Sequence, residues 1–156
     1  MAKEIERKFL VDLAHWPNET KGAHFEQGYI AITDSGIVRV RIIRDEVSTL
    51  TVKSSGTGLS RDEFQYEIPM DEAKALLKLC QNDIIKKTRY HVIVEGKQWD
   101  VDQFHGHNDG LWIAEVELKS EDEQVTLPKW VTNEVTGDEH YYNAFISKHP
   151  YNTWKK

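Results

Sequence analysis

The feature that most constrains this chain is an alternation of apolar and polar residues with period two, repeated in eight short runs. Successive side chains of a β-strand point to opposite faces, so such runs read as strands with one apolar and one polar face. The predicted strands cover 3–11, 24–32, 37–44, 47–54, 61–68, 85–95, 98–104 and 111–119. Turn residues separate them: Asp34-Ser35-Gly36, Ser55-Gly56-Thr57-Gly58, Gly96-Lys97 and the run from His105 to Gly110. Two segments carry helical spacing instead. Over Met70–Cys80, residues Ala73, Leu76, Leu77 and Cys80 form an apolar stripe, with Asp71 placed to cap the start. A second helix, capped by Asp138, carries Tyr141, Tyr142, Phe145 and Ile146 and stops at Pro150. The predicted class is α+β, dominated by eight antiparallel strands with a few flanking helices. Eight strands suffice to close a β-barrel, which also removes exposed sheet edges.

The chain has 156 residues and no linker, low-complexity tract or internal repeat, so a single domain over 1–156 is expected. No apolar run approaches the roughly 20 residues of a membrane span, so no membrane partner is expected. The opening MAKEIERKFLVD lacks the continuous apolar stretch of a secretory signal. One cysteine, Cys80, cannot form an internal disulfide. The expected location is cytoplasmic. With 26 acidic against 20 basic residues, the net charge of −6 argues against a nucleic-acid-binding surface, which needs a basic face. It leaves room for a local basic pocket.

The strand faces carry the chemistry. Glu4, Glu6 and Lys8 share a face opposite Ile5 and Phe9, and Arg39 and Arg41 share one opposite Val38, Val40 and Ile42. Thr51 and Lys53 oppose Leu50 and Val52, and Glu63, Gln65 and Glu67 oppose Phe64, Tyr66 and Ile68. Lys87, Arg89 and His91 oppose Tyr90, Val92 and Val94, while Asp100 and Asp102 oppose Trp99 and Val101. Glu115, Glu117 and Lys119 oppose Trp112, Ala114, Val116 and Leu118. Each pair alone is the ordinary outcome of a half-buried strand. Periodicity does not say which face lines an interior.

Sorting by sign is the unusual feature. Bases cluster at 39, 41 and 53 and again at 87 and 89, whereas acids pair at 4/6, 100/102 and 115/117. Like charges ~4 Å apart repel by about 4 kcal/mol at an effective dielectric near 20. Converging cations therefore need a polyanion, and converging carboxylates need protons or a cation. A phosphate chain on the bases with a hard divalent metal on the acids meets both demands, and oxygen ligands suit Mg²⁺ or Mn²⁺.

The run Glu4-Ile5-Glu6-Arg7-Lys8-Phe9-Leu10 resembles the Glu-x-Glu-x-Lys signature of the CYTH domain, the triphosphate tunnel metalloenzymes. The resemblance continues through QGYI (27–30), RVR (39–41), LTVK (50–53), EFQYEIP (63–69), KTRY (87–90), WDVDQFHG (99–106), GLWIAEVEL (110–118) and EVTGD (134–138). It implies an eight-stranded antiparallel tunnel with polar walls that binds a triphosphate and divalent metal. Carried over residue by residue, Glu4, Glu6, Glu115, Glu117 and Asp102 resemble the metal-binding acids. Lys8, Arg39, Arg41, Lys53, Lys87 and Arg89 resemble the phosphate-binding bases, and Lys8, Glu4, Glu6, Arg39 and Arg41 are the expected catalytic set. One departure stands out: Gln65 occupies the second position of a Glu-x-Glu found in many members, which leaves the roles of Glu63 and Glu67 open. At 156 residues the chain is also too short for the extra C-terminal domain of some bacterial relatives.

The expected activity is metal-dependent hydrolysis of inorganic triphosphate to pyrophosphate and phosphate, as in the bacterial triphosphatase branch. Bases would hold oxyanions while metal on the acids bridges phosphate oxygens for in-line attack by water. The general base, the preferred metal and the number of ions are open. Alternatives are an organic triphosphate, such as a nucleoside or thiamine triphosphate, a class IV-type adenylate cyclase, or a non-catalytic polyphosphate or nucleotide sensor. The intact acid set weighs against the sensor. A third class is a plain structural barrel with a charged exterior. His105-x-His107 lies in a Gly/Asn/Asp-rich turn without a third ligand, so an exposed loop is expected there. His91 shares the face of Lys87 and Arg89, and Lys148 would approach the tunnel if the C-terminal helix closed one mouth rather than docking on the wall. Cys80 reads as a small core residue, and Trp99 and Trp112 as packing residues. No oligomeric state is legible; a homodimer would have to bury an exposed apolar patch.

Overall fold

The computed structural model describes residues 2–17, 21–55 and 60–154, and the side chains of residues 4 onward within those spans. Nine antiparallel strands run in the order β1 (Ala2–Val11), β2 (Ala23–Thr33), β3 (Gly36–Ile43), β4 (Val47–Ser54), β5 (Ser60–Glu67), β6 (Ile85–Val94), β7 (Lys97–Phe104), β8 (Trp112–Glu117) and β9 (Val131–Glu134). The neighbours are β5-β4-β3-β2-β6-β7-β8-β1, and a further β5–β1 pairing closes eight strands into a ring. All eight expected strands are present, with ends shifted by at most two residues. The ninth, β9, was not expected: four residues, VTNE, carry too little alternation to announce a strand.

β9 takes the edge of β1 beyond the stretch paired with β5. There Glu134 receives both Arg7 Nε and Nη2, at 2.9 and 2.8 Å, and Lys8 N donates to Thr136 Oγ1 at 2.9 Å. The EVTGD segment thus fixes the backbone that carries Lys8.

Two-residue turns behave as the sequence chemistry requires. Asp34-Ser35 joins Thr33 to its partner Gly36. The β6–β7 turn is Glu95-Gly96, one position earlier than Gly96-Lys97, and both residues have positive φ (48° and 77°) between partners Val94 and Lys97. Such primed turns match strand twist, and glycine adopts the second position without steric cost. The expected turn at residues 55–58 falls mostly outside the described residues.

Helix α1 spans Met70–Leu77, shorter than the expected 70–80, and starts from Pro69 with no side-chain cap. Asp71 lies inside the first turn beside Glu72, where an acid favours the helix dipole rather than capping it. Beyond Leu77 the chain tightens: Lys78, Leu79 and Cys80 each donate to a carbonyl three residues back. The expected C-terminal helix is split. Asp138 caps a single 3₁₀ turn, Glu139–Tyr141, by accepting from His140 N; Tyr142 is extended, and α2 covers only Asn143–Lys148.

The ring is filled with charge and clothed in apolar side chains. Outside it, Phe9, Trp16, Trp99, Val101, Ala114, Val116, Leu118 and Trp130 form one buried cluster. Its rings meet edge-on or tilted, Trp16–Trp130 at 5.1 Å and Trp99–Trp130 at 5.6 Å between centroids. α1 covers a second outer patch, placing buried Ala73 with Val40 and Ile42. Gly28 permits the close approach there, since a Cβ would sit 2.7 Å from Cys80 Sγ. α2 instead meets the inner face at one end of the ring, with Ile146 against Ile85, Phe104, Leu111 and Ile113; Ile85, Phe104 and Ile113 share the strand faces of Lys87, Asp102 and Glu115. Among the described residues no helix is long and apolar enough to cross a membrane.

Candidate active site inside the ring

Residues of all eight ring strands enclose a cavity of about 940 Å³. Period-two alternation brings Glu4, Glu6, Lys8, Arg39, Arg41, Lys53, Lys87, Arg89, Glu115 and Glu117 together in its lining. The strands decide which side each occupies. β1 and β8 are neighbours with Glu6 opposite Glu117 and Lys8 opposite Glu115, so four carboxylates and one lysine share that wall. β3, β2 and β6 are neighbours in turn, which gathers Arg41, Lys87 and Arg89 around Phe25. The Phe25 ring lies 5.0 Å from both guanidinium carbons and 5.9 Å from Lys87 Nζ, a cation–π floor under the cluster.

Some of the charge is paired internally. Lys8 Nζ is 3.1 Å from Glu115 and 3.4 Å from Glu6, and Lys53 Nζ is 2.8 Å from Glu4 and 3.7 Å from Glu63. Asp102 is fully buried and is absent from the cavity lining. Its two oxygens accept from Lys87 Nζ at 2.8 Å and from Arg89 at 2.7 and 2.9 Å. The structure therefore pairs Asp102 with the cations, outside the cavity lining that Glu4, Glu6, Glu115 and Glu117 share.

The remainder is out of balance on both sides. Among the described residues, neither Arg39 nor Arg41 has a carboxylate within ion-pair distance. Arg39 is 6% exposed, donates weakly to Thr51 Oγ1 at 3.3 Å, and its Nε has no partner. Burial pushes the Arg41 guanidinium well below its ordinary range, helped by Arg39 and Arg89. Burial does the same to Lys87; Asp102 pulls the other way, and Arg89 and Arg41 add to the depression. An unpaired buried cation is costly, so this cluster is arranged for an anion.

The acids are strained in the opposite sense. Burial, with Glu115 and Glu4 alongside, pushes the Glu6 carboxyl up to about 8. Burial and Glu4 raise Glu63; burial with Glu4 and Glu63 raises Glu117. Two carboxyls are held down instead. Burial opposes the charge of Glu4, but Lys53 overrides it, and Lys8 and Arg89 likewise hold Glu115 well below its usual range. Among the described residues, no three His, Cys, Asp or Glu side chains are already gathered closely enough to hold a metal ion. Crowded, all-oxygen carboxyls nevertheless suit a hard divalent cation, whose charge would offset the burial and mutual repulsion that push Glu6 up.

Other expectations sort cleanly. Glu63 and Gln65 line the cavity, whereas Glu67 is exposed and does not. His91 is exposed and pairs with Asp100 at 2.7 Å, and Lys148 is exposed and does not line the cavity. His105 meets Thr88 and His107 meets Asp83, in two separate contacts. Trp99 is buried and Trp112 half-buried, both within the outer packing. Cys80 is partly buried, and burial pushes its thiol up, away from nucleophilic use.

Residues missed from sequence also line the site. Tyr29 and Arg61 carry the same period-two signal as their neighbours Gln27 and Glu63. Arg61 lies 4.6 Å over the Tyr142 ring, and Lys8 Nζ is 5.8 Å from it. Tyr142, Asn143 and Ala144 join the lining from the start of α2. No local signal marks them, because only the return of the chain over the ring puts them there. The C-terminal segment thus packs Ile146 on the inner strand faces at one end of the ring and contributes to the cavity, rather than docking on the outer wall.

A model of the CYTH domain matches residues 2–143. The chain is 45% identical over 157 residues to an inorganic triphosphatase of Acetivibrio thermocellus, covering 100% of both chains. It is 38% identical over 149 residues to an inorganic triphosphatase of Nitrosomonas europaea, covering 92% of this chain and 96% of that one. The solved structure of the inorganic triphosphatase NE1496 superposes with a TM-score of 0.67 at 33% identity, covering 94% of this chain and 95% of the other. The closed ring, its charged interior and these full-length matches agree: this chain belongs to the CYTH domain family.

Proposed function

We propose that the protein hydrolyses inorganic triphosphate to pyrophosphate and phosphate inside the ring. The observation that carries this is the buried cation cluster in which Arg39 and Arg41 have no carboxylate partner and Lys87 and Arg89 share Asp102, facing crowded carboxyls across one cavity. Full-length similarity to two inorganic triphosphatases supports the choice of substrate.

Arg39, Arg41 and Arg89, with Lys87 and Lys53, would hold the phosphate oxygens and neutralise charge on the leaving pyrophosphate. Lys8, wedged between Glu115 and Glu6, would stabilise charge at the reacting phosphorus; burial opposes its protonation, but those two carboxylates hold it firmly charged. Glu4, Glu6, Glu115 and Glu117 would hold Mg²⁺ or Mn²⁺, which when bound supplies Lewis-acid polarisation of phosphate oxygens. Asp102 we assign to anchoring Lys87 and Arg89 rather than to metal. Positioning and electrostatics carry most of a phosphoryl transfer, so no nucleophilic side chain is required. The partner is a small-molecule triphosphate, with no role for nucleic acid or membrane.

The test is phosphate release from inorganic triphosphate, ATP and thiamine triphosphate, with Mg²⁺, Mn²⁺ or chelator, for wild type and Glu4→Gln. The proposal expects metal-dependent release, strongest on inorganic triphosphate and lost in the variant. Binding of triphosphate without turnover would replace the enzyme by a sensor.

A further inference from the structure

Two neutral amides connect the arms of the cation cluster. Arg41 Nε donates to Gln27 Oε1 at 2.7 Å, and Gln27 Nε2 donates to Asn143 Oδ1 at 3.0 Å. Lys87 Nζ donates to the same Oδ1 at 3.0 Å and to Asp102 at 2.8 Å. Guanidinium and ammonium groups only donate, so both ends of this chain demand an amide oxygen, and the remaining amide N–H of Gln27 must point at Asn143. The orientation of each amide is therefore fixed by its neighbours.

Gln27 is fully buried on β2 directly opposite Arg41 on β3, and Asn143 is the first residue of α2. Four elements meet in one chain of hydrogen bonds. Amides accept from cations without neutralising them. A carboxylate at either position would form an ion pair and cancel the positive charge that an incoming anion needs. Asp102 already supplies one carboxylate to Lys87 and Arg89.

We propose that Gln27 and Asn143 are positioning residues that aim Arg41 and Lys87 at the anion while leaving them uncompensated, and that Asn143 makes the C-terminal segment part of the binding site. This rests on the triphosphatase proposal above. Its consequence is that adding one carboxylate strengthens the resting protein and weakens its hold on substrate. A merely structural amide would show no such opposition.

The experiment measures inorganic triphosphate binding by titration calorimetry in chelator, KM and kcat with metal, and the melting temperature, for Gln27→Glu, Asn143→Asp, Asn143→Ala and the exposed control Lys148→Ala. The expected result is binding weakened about tenfold or more in both carboxylate variants, with melting at or above wild type. Asn143→Ala should raise KM about tenfold with kcat changed less than about threefold, and Lys148→Ala should match wild type. Should Gln27→Glu fail to fold, Asn143→Asp at the helix start carries the same test. Affinity and KM within about twofold of wild type in Asn143→Asp and Asn143→Ala would overturn the proposal, as would lower melting with unchanged affinity. Wild type that neither binds nor cleaves triphosphate would instead overturn the function on which it rests.

Discussion

On β7, Trp99 turns outward into a closed cluster with Phe9 and Trp130, while its neighbours in sequence, Gln98 and Asp100, line the cavity among lysines and arginines. Outside, each buried ring packs against others of the chain, and the cost left there is a neutral one, the unpartnered Trp99 Nε1. Inside, charge is only partly matched: Arg39 lacks a partner for Nε, and burial, with Glu115 and Glu4 alongside, pushes the Glu6 carboxyl up to about 8. One wall therefore has two kinds of energetics. The outer face stabilises the ring, and the inner face stores repulsion that a polyanion and a cation relieve.

The largest effect tests the outer face. Trp99→Ala opens a cavity in the wall and should cost about 3–5 kcal/mol, lowering the melting temperature by about 10 °C or more in a chain this size. Turnover by the folded fraction should stay near wild type in a calibrated assay. Loss of turnover without loss of stability would break the division between faces.

Asp102 stands where the two regions meet. Burial opposes its charge, but Arg89 and Lys87 hold its carboxyl well below the ordinary range. The folded state thus binds fewer protons than the unfolded chain, so this stabilisation is present above pH ~4 and lost as pH falls below it. Asp102→Asn should cost about 3 kcal/mol at neutral pH and flatten the acid side of a stability–pH curve from urea unfolding. It should also impair catalysis, by releasing Lys87 and Arg89.

Arg39→Ala isolates the inner face. Transition-state charge stabilisation of this kind is typically worth about 10²–10³ in kcat, while melting should move by less than about 2 °C. Smallest of all is Glu134→Gln. It breaks the partly exposed Arg7 pair, and exposed pairs contribute about 0.2–1 kcal/mol, measurable only by chemical denaturation.

The sequence announced both faces because period two is a local property. Glu4, Glu6 and Lys8 could be assigned to one side without knowing which side was inside. Orientation was not local: it follows from what covers the outer faces, and those covers come from Trp16, Trp130 and α1, far apart in the chain. β9 was too short to see, and the split at Tyr142 followed no capping rule. Asn143 illustrates the limit best. Nothing in HYYNAF predicts that its amide meets Lys87, because that contact exists only once the C-terminus folds back across the ring.

The most direct measurement is the melting temperature of Arg39→Met/Arg41→Met beside wild type, with and without inorganic triphosphate in chelator. Methionine keeps the apolar stem and removes only the charge. The account predicts that the double variant melts at or above wild type without ligand. Wild type should rise by about 5–10 °C at triphosphate near 100 Kd, and the variant should not respond. A variant that melts several degrees lower without ligand, or that is stabilised by triphosphate as strongly as wild type, would contradict the claim that these arginines are held unpaired for a polyanion.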